Sequence, residues 1–415
     1  MDHLKIKGGI PLNGTVSASG SKNSALPLLA ATILLNGETV LHNVPNLSDI
    51  AVMIKILNSL GMRVEACPDN QVKIWNEKKI RHIAPYDLVT SMRASFFVAG
   101  PILAKTGFAK VPLPGGCLIG SRPIDIHLKG FQDLGAEIKL QNGFVELRAK
   151  KLKAARIYLN FPSVGATENL MMAASLVEGV SYIENAALEP EIDDLADILN
   201  KAGAKITGVG TRCIKIEGVS ELKGVSHHVI PDRVEAGTLL IAGAITGGDV
   251  TVTNLNVDHL EPLIRKLKDC GFGLTIDGNS IRVIGKKEFG GATIETLPFP
   301  GFPTDLQAQM MAILSVANGT SIIKETIFEN RFMHAYELKR MGADIKIDGN
   351  HAFIKGVEKL SAAPVKITDL RAGAALILAG LRAEGTTVVH GLKHLRRGYQ
   401  GLPEKLGKLG ASVFV

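Results

Sequence analysis

Apolar residues along this chain fall into two alternating kinds of run. The first kind is helical in length and apolar on nearly every face. It occurs six times, at Ala25-Leu26-Pro27-Leu28-Leu29-Ala30-Ala31, Ala94-Ser95-Phe96-Phe97-Val98-Ala99-Gly100, Asn169-Leu170-Met171-Met172-Ala173-Ala174, Gly237-Thr238-Leu239-Leu240-Ile241-Ala242-Gly243, Gln309-Met310-Met311-Ala312-Ile313-Leu314 and Ala374-Ala375-Leu376-Ile377-Leu378-Ala379-Gly380. Each ends at a turn glycine (Gly37, Gly107, Gly179, Gly248, Gly319, Gly385), and after nearly every one comes a short β-branched run such as Thr386-Thr387-Val388-Val389. A second helix follows, closing on a glycine C-cap at Leu60-Gly61, Leu134-Gly135, Ala202-Gly203, Cys270-Gly271, Met341-Gly342 and Leu409-Gly410. Superimposed, these runs define six units at a period of roughly 70 residues, each a strand, helix, strand, helix and further strands.

A helix apolar all round has to be buried, so the first helix of each unit is expected inside its domain, with sheets outside. The expected fold class is therefore α/β, with βαβαββ-like units arranged three per domain. The boundary is placed near Val229-Ile230-Pro231-Asp232, giving a first domain of 22–230 and a second of 1–21 with 231–415. If the first twenty or so residues complete the last repeat, the chain crosses between domains twice.

Length agrees with two domains, because 415 residues exceed what one core usually supports. Four scattered cysteines without a CxxC pair provide neither a disulfide framework nor a zinc site, which fits a reducing compartment. The opening stretch, residues 1–9, lacks the apolar core of a signal peptide, and the longest apolar helical run, Ala25 to Leu35, is far short of a membrane span. A cytoplasmic location is expected. The net charge of +7 could serve nucleic acid, a membrane surface or a small anionic substrate. Its positives form no basic block, and one Trp with five Tyr leaves little for stacking bases, which argues against nucleic acid.

Motifs narrow the chemistry further. His390 and His394 have i, i+4 spacing, but Gly391 lies between them, and no metal is expected there. Residues Gly14 to Ser24 resemble a P-loop only superficially, since the glycine spacing is one too long and Lys22 is displaced. No GxGxxG follows a strand, so neither ATP hydrolysis nor a nicotinamide cofactor is expected, and no cofactor is assigned.

Candidate chemistry gathers at equivalent positions of the repeats. The loop Pro114 to Asp125 sets Cys117 among glycines, prolines and Arg122, a setting that favours thiolate and makes Cys117 a candidate nucleophile or proton donor. Cys67, Cys213 and Cys270 read as small buried hydrophobes. The entrance to the first helix carries Lys22, Arg93, Arg233, Asp305 and Arg371, while the loop before the second helix carries Arg122, Arg331 and Arg397. Cations added to helix N-termini attract anions, so a substrate with several negative charges is implied, for example phosphate plus carboxylate. Asp305 reads either as a simple N-cap or as a carboxylate kept ionised for base chemistry. Asp49 and Asp369 are candidate ion-pair partners.

Several stretches together carry a specific likeness: Gly20-Ser21-Lys22-Asn23, Thr90-Ser91-Met92-Arg93-Ala94-Ser95, the cysteine loop, Ser163-Val164-Gly165-Ala166-Thr167-Glu168-Asn169, Phe302-Pro303-Thr304-Asp305, Glu329-Asn330-Arg331-Phe332-Met333-His334, Asp369-Leu370-Arg371-Ala372 and Arg397-Gly398-Tyr399. From end to end the chain resembles the UDP-N-acetylglucosamine 1-carboxyvinyltransferases, a family of enolpyruvyl transferases. The resemblance implies a two-domain inside-out α/β barrel with the active site in the interdomain cleft and the cysteine loop as its lid. It implies two small-molecule substrates, phosphoenolpyruvate and UDP-N-acetylglucosamine, with no metal, nucleic acid or obligate protein partner.

By that resemblance Cys117 protonates the enol carbon or captures phosphoenolpyruvate, and Asp305 accepts the hydroxyl proton. Lys22, Arg122 and Arg397 hold the phosphate, Arg331 and Arg371 the carboxylate, with Asn23 also beside phosphoenolpyruvate. Asn23, Arg93, Arg122, Pro123, Ile124, Asp125, Ile126, Ser163, Val164, Gly165, Asp305 and Ile327 match positions around the sugar nucleotide. One departure is Phe161, where some members place a nucleotide-binding lysine. Members with aspartate in place of the cysteine resist fosfomycin, so Cys117 implies sensitivity. The rival readings are the shikimate-pathway enolpyruvyl transferase, whose lysine-rich substrate signature is absent, and an RNA-binding repeat protein.

Overall fold

The structure is a computed structural model that describes residues 3–77, 79–114, 120 and 124–414. Outside the described residues lie Cys117, Arg122 and Pro123 of the candidate site. The described chain divides into two compact units, one comprising 20–114 and 124–230, the other 3–19, 120 and 231–414. Each has its own apolar core.

Five of the six repeats fold the same way: the first strand pairs parallel to the second, and the two remaining strands add antiparallel, giving the spatial order first, second, fourth, third. The other sheet has three strands, Phe108–Pro112, Phe144–Arg148 and Glu137–Gln141, with a single parallel bridge from Ile83 to Lys110 where a first strand would lie. The repeat Arg156–Tyr158, Val180–Glu184, Lys205–Thr207, Cys213–Glu217 is the plainest example. A parallel pair needs a crossover, and the inner helix Val164–Ala174 supplies it. The inner helices Lys22–Ala31, Val164–Ala174, Arg233–Thr246, Gln307–Leu314 and Leu370–Arg382 are buried along almost their whole length, and Ala99–Thr106 over Ala99 to Leu103. The outer helices are amphipathic: Glu261–Asp269 buries only Leu263, Ile264 and Leu267. Removing an inner-helix side chain such as Leu28 should therefore cost about 2–5 kcal/mol, because the helix is clothed on all sides.

Small residues let these inner helices touch. Gly100 donates its N–H to Asn169 Oδ1 at 2.8 Å, and a Cβ on Gly100 would stand 2.4 Å from the Asn169 carbonyl oxygen. The C-cap glycines of all six second helices are left-handed, as the pattern required. At one first helix the expectation is off by a residue. The left-handed cap is Gly247 (φ 71°), while Gly248 is small for another reason: a Cβ there would lie 1.9 Å from the Leu12 carbonyl oxygen.

The first twenty residues serve two repeats instead of one. His3–Lys7 enters the last sheet between Thr386–His390 and Ser412–Phe414, taking the fourth-strand place. Asn13–Ser17 instead pairs parallel with Asp249–Thr253 and opens the fourth repeat. Leu222–Lys223 and Ser226–His228 play the same opening role for Leu35–His42. The cysteine expectation needs correcting as well. Cys270 is buried, and burial pushes its thiol up to about 11, but Cys67 is half-buried and Cys213 exposed. Cys213 opens the strand Cys213–Glu217, whose alternate residues face solvent, and Cys67 ends the strand Arg63–Cys67, in which no residue is fully buried.

Candidate active site

In the unit containing 231–414, the chain enters the inner helix Gln307–Leu314 through a 3-10 turn, Thr304–Leu306. Pro303 occupies the cap position of that turn, so Asp305 is not its cap. Its carboxylate instead lies between two guanidiniums. Oδ1 accepts from Arg331 Nη2 at 2.8 Å, and Oδ2 accepts from Arg371 Nε at 3.0 Å and Nη2 at 2.8 Å. Arg371 is 1% exposed and Arg331 4%. Desolvation alone would raise the Asp305 carboxyl, but Arg371 and then Arg331 overcome it and hold the group well below the usual carboxylate range.

A supporting frame fixes the two arginines. Arg331 Nη1 donates to Thr304 Oγ1 at 2.8 Å, and Thr304 donates to Glu325 Oε2 at 2.9 Å. Glu325 Oε1 accepts from Thr296 Oγ1 and from the backbone N–H of Ile327 and Phe328. Arg371 lies with its guanidinium 5.3 Å from the Tyr399 ring centre, and Tyr399 Oη is bonded to Thr238 and Gln309. Asp369 caps the helix Leu370–Arg382 through the N–H groups of Arg371 and Ala372. Arg371 Nη1 is buried and makes no hydrogen bond among the described residues. A buried guanidinium N–H without an acceptor among the described residues is a donor left available to a ligand. Arg397 is half-buried just past the short helix Leu392–Leu395.

The other unit carries a second cluster. Lys22 opens its inner helix, capped by Ser21, and pairs with Asp49 at 2.8 Å with both side chains buried. Asn23 follows on a half-buried position. The helix Val164–Ala174, capped by Ser163, and the helix Asp125–Asp133 meet through His127: its Nδ1 is 3.3 Å from Asn169 Nδ2, and a Cβ on Gly165 would lie 3.5 Å from its ring and equally from that of Phe97. Arg93 opens the 3-10 turn Arg93–Val98, whose Phe96 packs edge-on to His127 at 5.3 Å. Phe161 is 43% exposed.

Sequence reasoning gave no role to Thr304 or Tyr399, and missed Glu325 and the buried set in which Ser24 donates to Asp194 and Asp194 meets His227 Nε2 at 2.8 Å. Glu325 had a readable signal. The residue just after the second strand is Asn43, Asn185, Asn254 or Gly391 in four other repeats, all left-handed, and only here is it a glutamate. Among the described residues no group of three or more His, Cys, Asp and Glu side chains is placed to hold a metal ion.

Six sheet-on-helix repeats in two units, with a carboxylate clamped by paired arginines at a helix entrance, define the class of two-domain enolpyruvyl transferases. The chain belongs to the EPSP synthase (3-phosphoshikimate 1-carboxyvinyltransferase) family, whose model matches residues 6–406. It is 57% identical over 405 residues, 97% of each chain, to the UDP-N-acetylglucosamine 1-carboxyvinyltransferase 1 of Caldanaerobacter subterraneus subsp. tengcongensis. Identity is 55% over 413 residues to the UDP-N-acetylglucosamine 1-carboxyvinyltransferase of Geobacter metallireducens, covering 100% of this chain and 99% of that one. Among solved structures, the enolpyruvyl transferase NikO from Streptomyces tendae superposes with a TM-score of 0.91 at 25% identity, covering 99% of this chain and 98% of its own. EPSP synthase from Acinetobacter baumannii superposes at 0.79 with 19% identity over the whole of both chains, a likeness of fold.

Proposed function

We propose that the enzyme transfers the enolpyruvyl group of phosphoenolpyruvate to the 3′-hydroxyl of UDP-N-acetylglucosamine, releasing phosphate by addition and elimination. This is the first committed step of peptidoglycan precursor synthesis. The observation that carries the reading is identity above one half, over essentially the full length, to relatives bearing that activity in their names. The shikimate-type reaction belongs to the wider family.

Residue roles are those that the resemblance to these transferases implies. Arg331 and Arg371 hold the substrate carboxylate, and Lys22, Arg122 and Arg397 the phosphate, with Asn23 beside it. Ile124, Asp125, Ile126, Ser163, Val164, Gly165 and Ile327, together with Arg93 and Pro123, take the sugar nucleotide. Cys117 delivers the proton to the enol carbon. Asp305 is the base, and its engaged state supports a specific sequence of events. A carboxylate held this far below its usual range is a weak base. The incoming substrate carboxylate replaces Asp305 on the arginines, and losing those partners raises the proton affinity of Asp305 when the acceptor hydroxyl needs it. The enzyme works in the cytoplasm on two small molecules.

The test is phosphate release from phosphoenolpyruvate with each of two acceptors. Turnover is expected with UDP-N-acetylglucosamine and not with shikimate 3-phosphate; the reverse result would overturn the reading.

A further inference from the structure

A concave pocket of about 390 Å³ lies at one end of the last sheet and is lined by His3, Lys366, His390, Lys393 and His394. The fold explains their meeting. Lys366 and His390 are register partners on neighbouring parallel strands, and His390 and His3 are register partners on neighbouring antiparallel strands. Three basic side chains thus stand in a row across three strands, on the face opposite buried Val365, Val389 and Leu4. The His3 and His390 rings lie 5.8 Å apart. After His390 the chain turns at Gly391 (φ 90°), and the short helix Leu392–Leu395 brings Lys393 and His394 to the same hollow. None of the described residues lining it is acidic. A nearby carboxylate, Glu337, accepts the Lys366 backbone N–H at 2.9 Å and has Arg340 3.7 Å away.

No member of this row offers its neighbour an opposite charge, so ion pairing across the strands does not account for it. Donors converging from three strands and a helix suit a compact anion with several oxygens. We infer that this pocket binds the phosphoryl group of a small dianion, inorganic phosphate or a phosphomonoester, as a subsite separate from the arginine clamp on Asp305. Lys366 precedes Arg371 by five residues and Lys393 precedes Arg397 by four, so the pocket adjoins along the chain the cations assigned to the substrate. On the proposed function, phosphoenolpyruvate entering or phosphate leaving would occupy it. The binding itself does not depend on that reading.

The experiment uses the full chain with ¹³C-labelled histidine, following the ring signals of His3 and His390, assigned by His3→Gln and His390→Gln, at constant pH. Inorganic phosphate and phosphoenolpyruvate are titrated separately against chloride at matched ionic strength. Saturable shifts of both rings with at least one phosphoryl ligand, absent with chloride, are expected. Lys366→Gln with Lys393→Gln, two exposed positions, should weaken the binding by about fivefold or more. Shifts that do not saturate, that chloride reproduces, or that the double variant leaves unchanged overturn the subsite. Because no turnover is measured, that failure is separable from failure of the transferase assay.

Discussion

Replacing Asp305 with alanine separates its two roles. In the structure its carboxylate accepts three charge-assisted hydrogen bonds, at 2.8, 2.8 and 3.0 Å, from guanidiniums that are nearly inaccessible to water. Taking away that counter-charge leaves both cations buried without it, which destabilises by about 3 kcal/mol, the low end of the range because Asp305 is 26% exposed at its side chain. For a unit of this size the unfolding midpoint should fall by roughly 6 °C or more. Turnover should fall by about 10²–10⁴-fold, the usual contribution of a positioned base. Affinity for phosphoenolpyruvate should move the other way. Substrate no longer has to displace Asp305, and one charged hydrogen bond spared at about 1.5 kcal/mol corresponds to about tenfold tighter binding. Phosphate release, calorimetric titration of phosphoenolpyruvate and a thermal melt measure the three effects. Turnover within about threefold of the parent would remove Asp305 as the base. Weaker phosphoenolpyruvate binding alongside lost turnover would refute the exchange of carboxylates on the arginines.

Three other outcomes are expected. Cys117→Ser should lose nearly all turnover, and the parent should gain one fosfomycin adduct by mass spectrometry; a parent that stays unmodified and active at saturating fosfomycin contradicts the role given to the thiol. His334 is held down to about 4, chiefly by burial, with Arg331 adding to the effect and Asp369 opposing it. Its depressed pKa means that stability is full above about pH 6.5 and declines as pH falls toward about 4, by about 3 kcal/mol in all. Urea midpoints across that window should flatten in His334→Leu, and an unchanged slope rejects the assignment. Glu168 is fully buried, both its carboxyl oxygens lack hydrogen-bond partners among the described residues, and burial, then Glu191 and Glu189, hold its pKa well above the usual range. Its stabilising protonated state is present at low pH and is lost as pH rises through that raised value. Glu168→Gln, which stays neutral, should therefore gain in melting temperature over the parent as pH increases, and a constant difference rules this out.

Local patterning made much of the architecture legible. Helices that must be buried on every face are apolar on every face, and a chain leaving a helix in the left-handed region uses glycine; both effects act within a few residues. Gly61 and Gly410 could be placed by eye for that reason. Where a glycine is required by a distant neighbour, local reasoning slips, as at Gly248 against Leu12. Superposing repeats also exposed the helix entrances carrying Lys22, Arg93, Asp305 and Arg371, because equivalent positions share one end of a unit.

What the residues alone could not decide is how partners far apart in the chain are matched. Asp305 lies 26 residues from Arg331 and 66 from Arg371, and only tertiary packing turns a carboxylate that could have been a cap into the anion between two buried cations. The same holds for His3–Lys7, since the sequence raised only the condition that the first twenty or so residues complete the last repeat, and the strand's place there depended on a gap that the rest of that sheet leaves open. Periodicity is written in nearest-neighbour chemistry and survives in the sequence. Charge pairing and strand insertion are settled through space, by which surfaces remain unsatisfied once the repeats have packed.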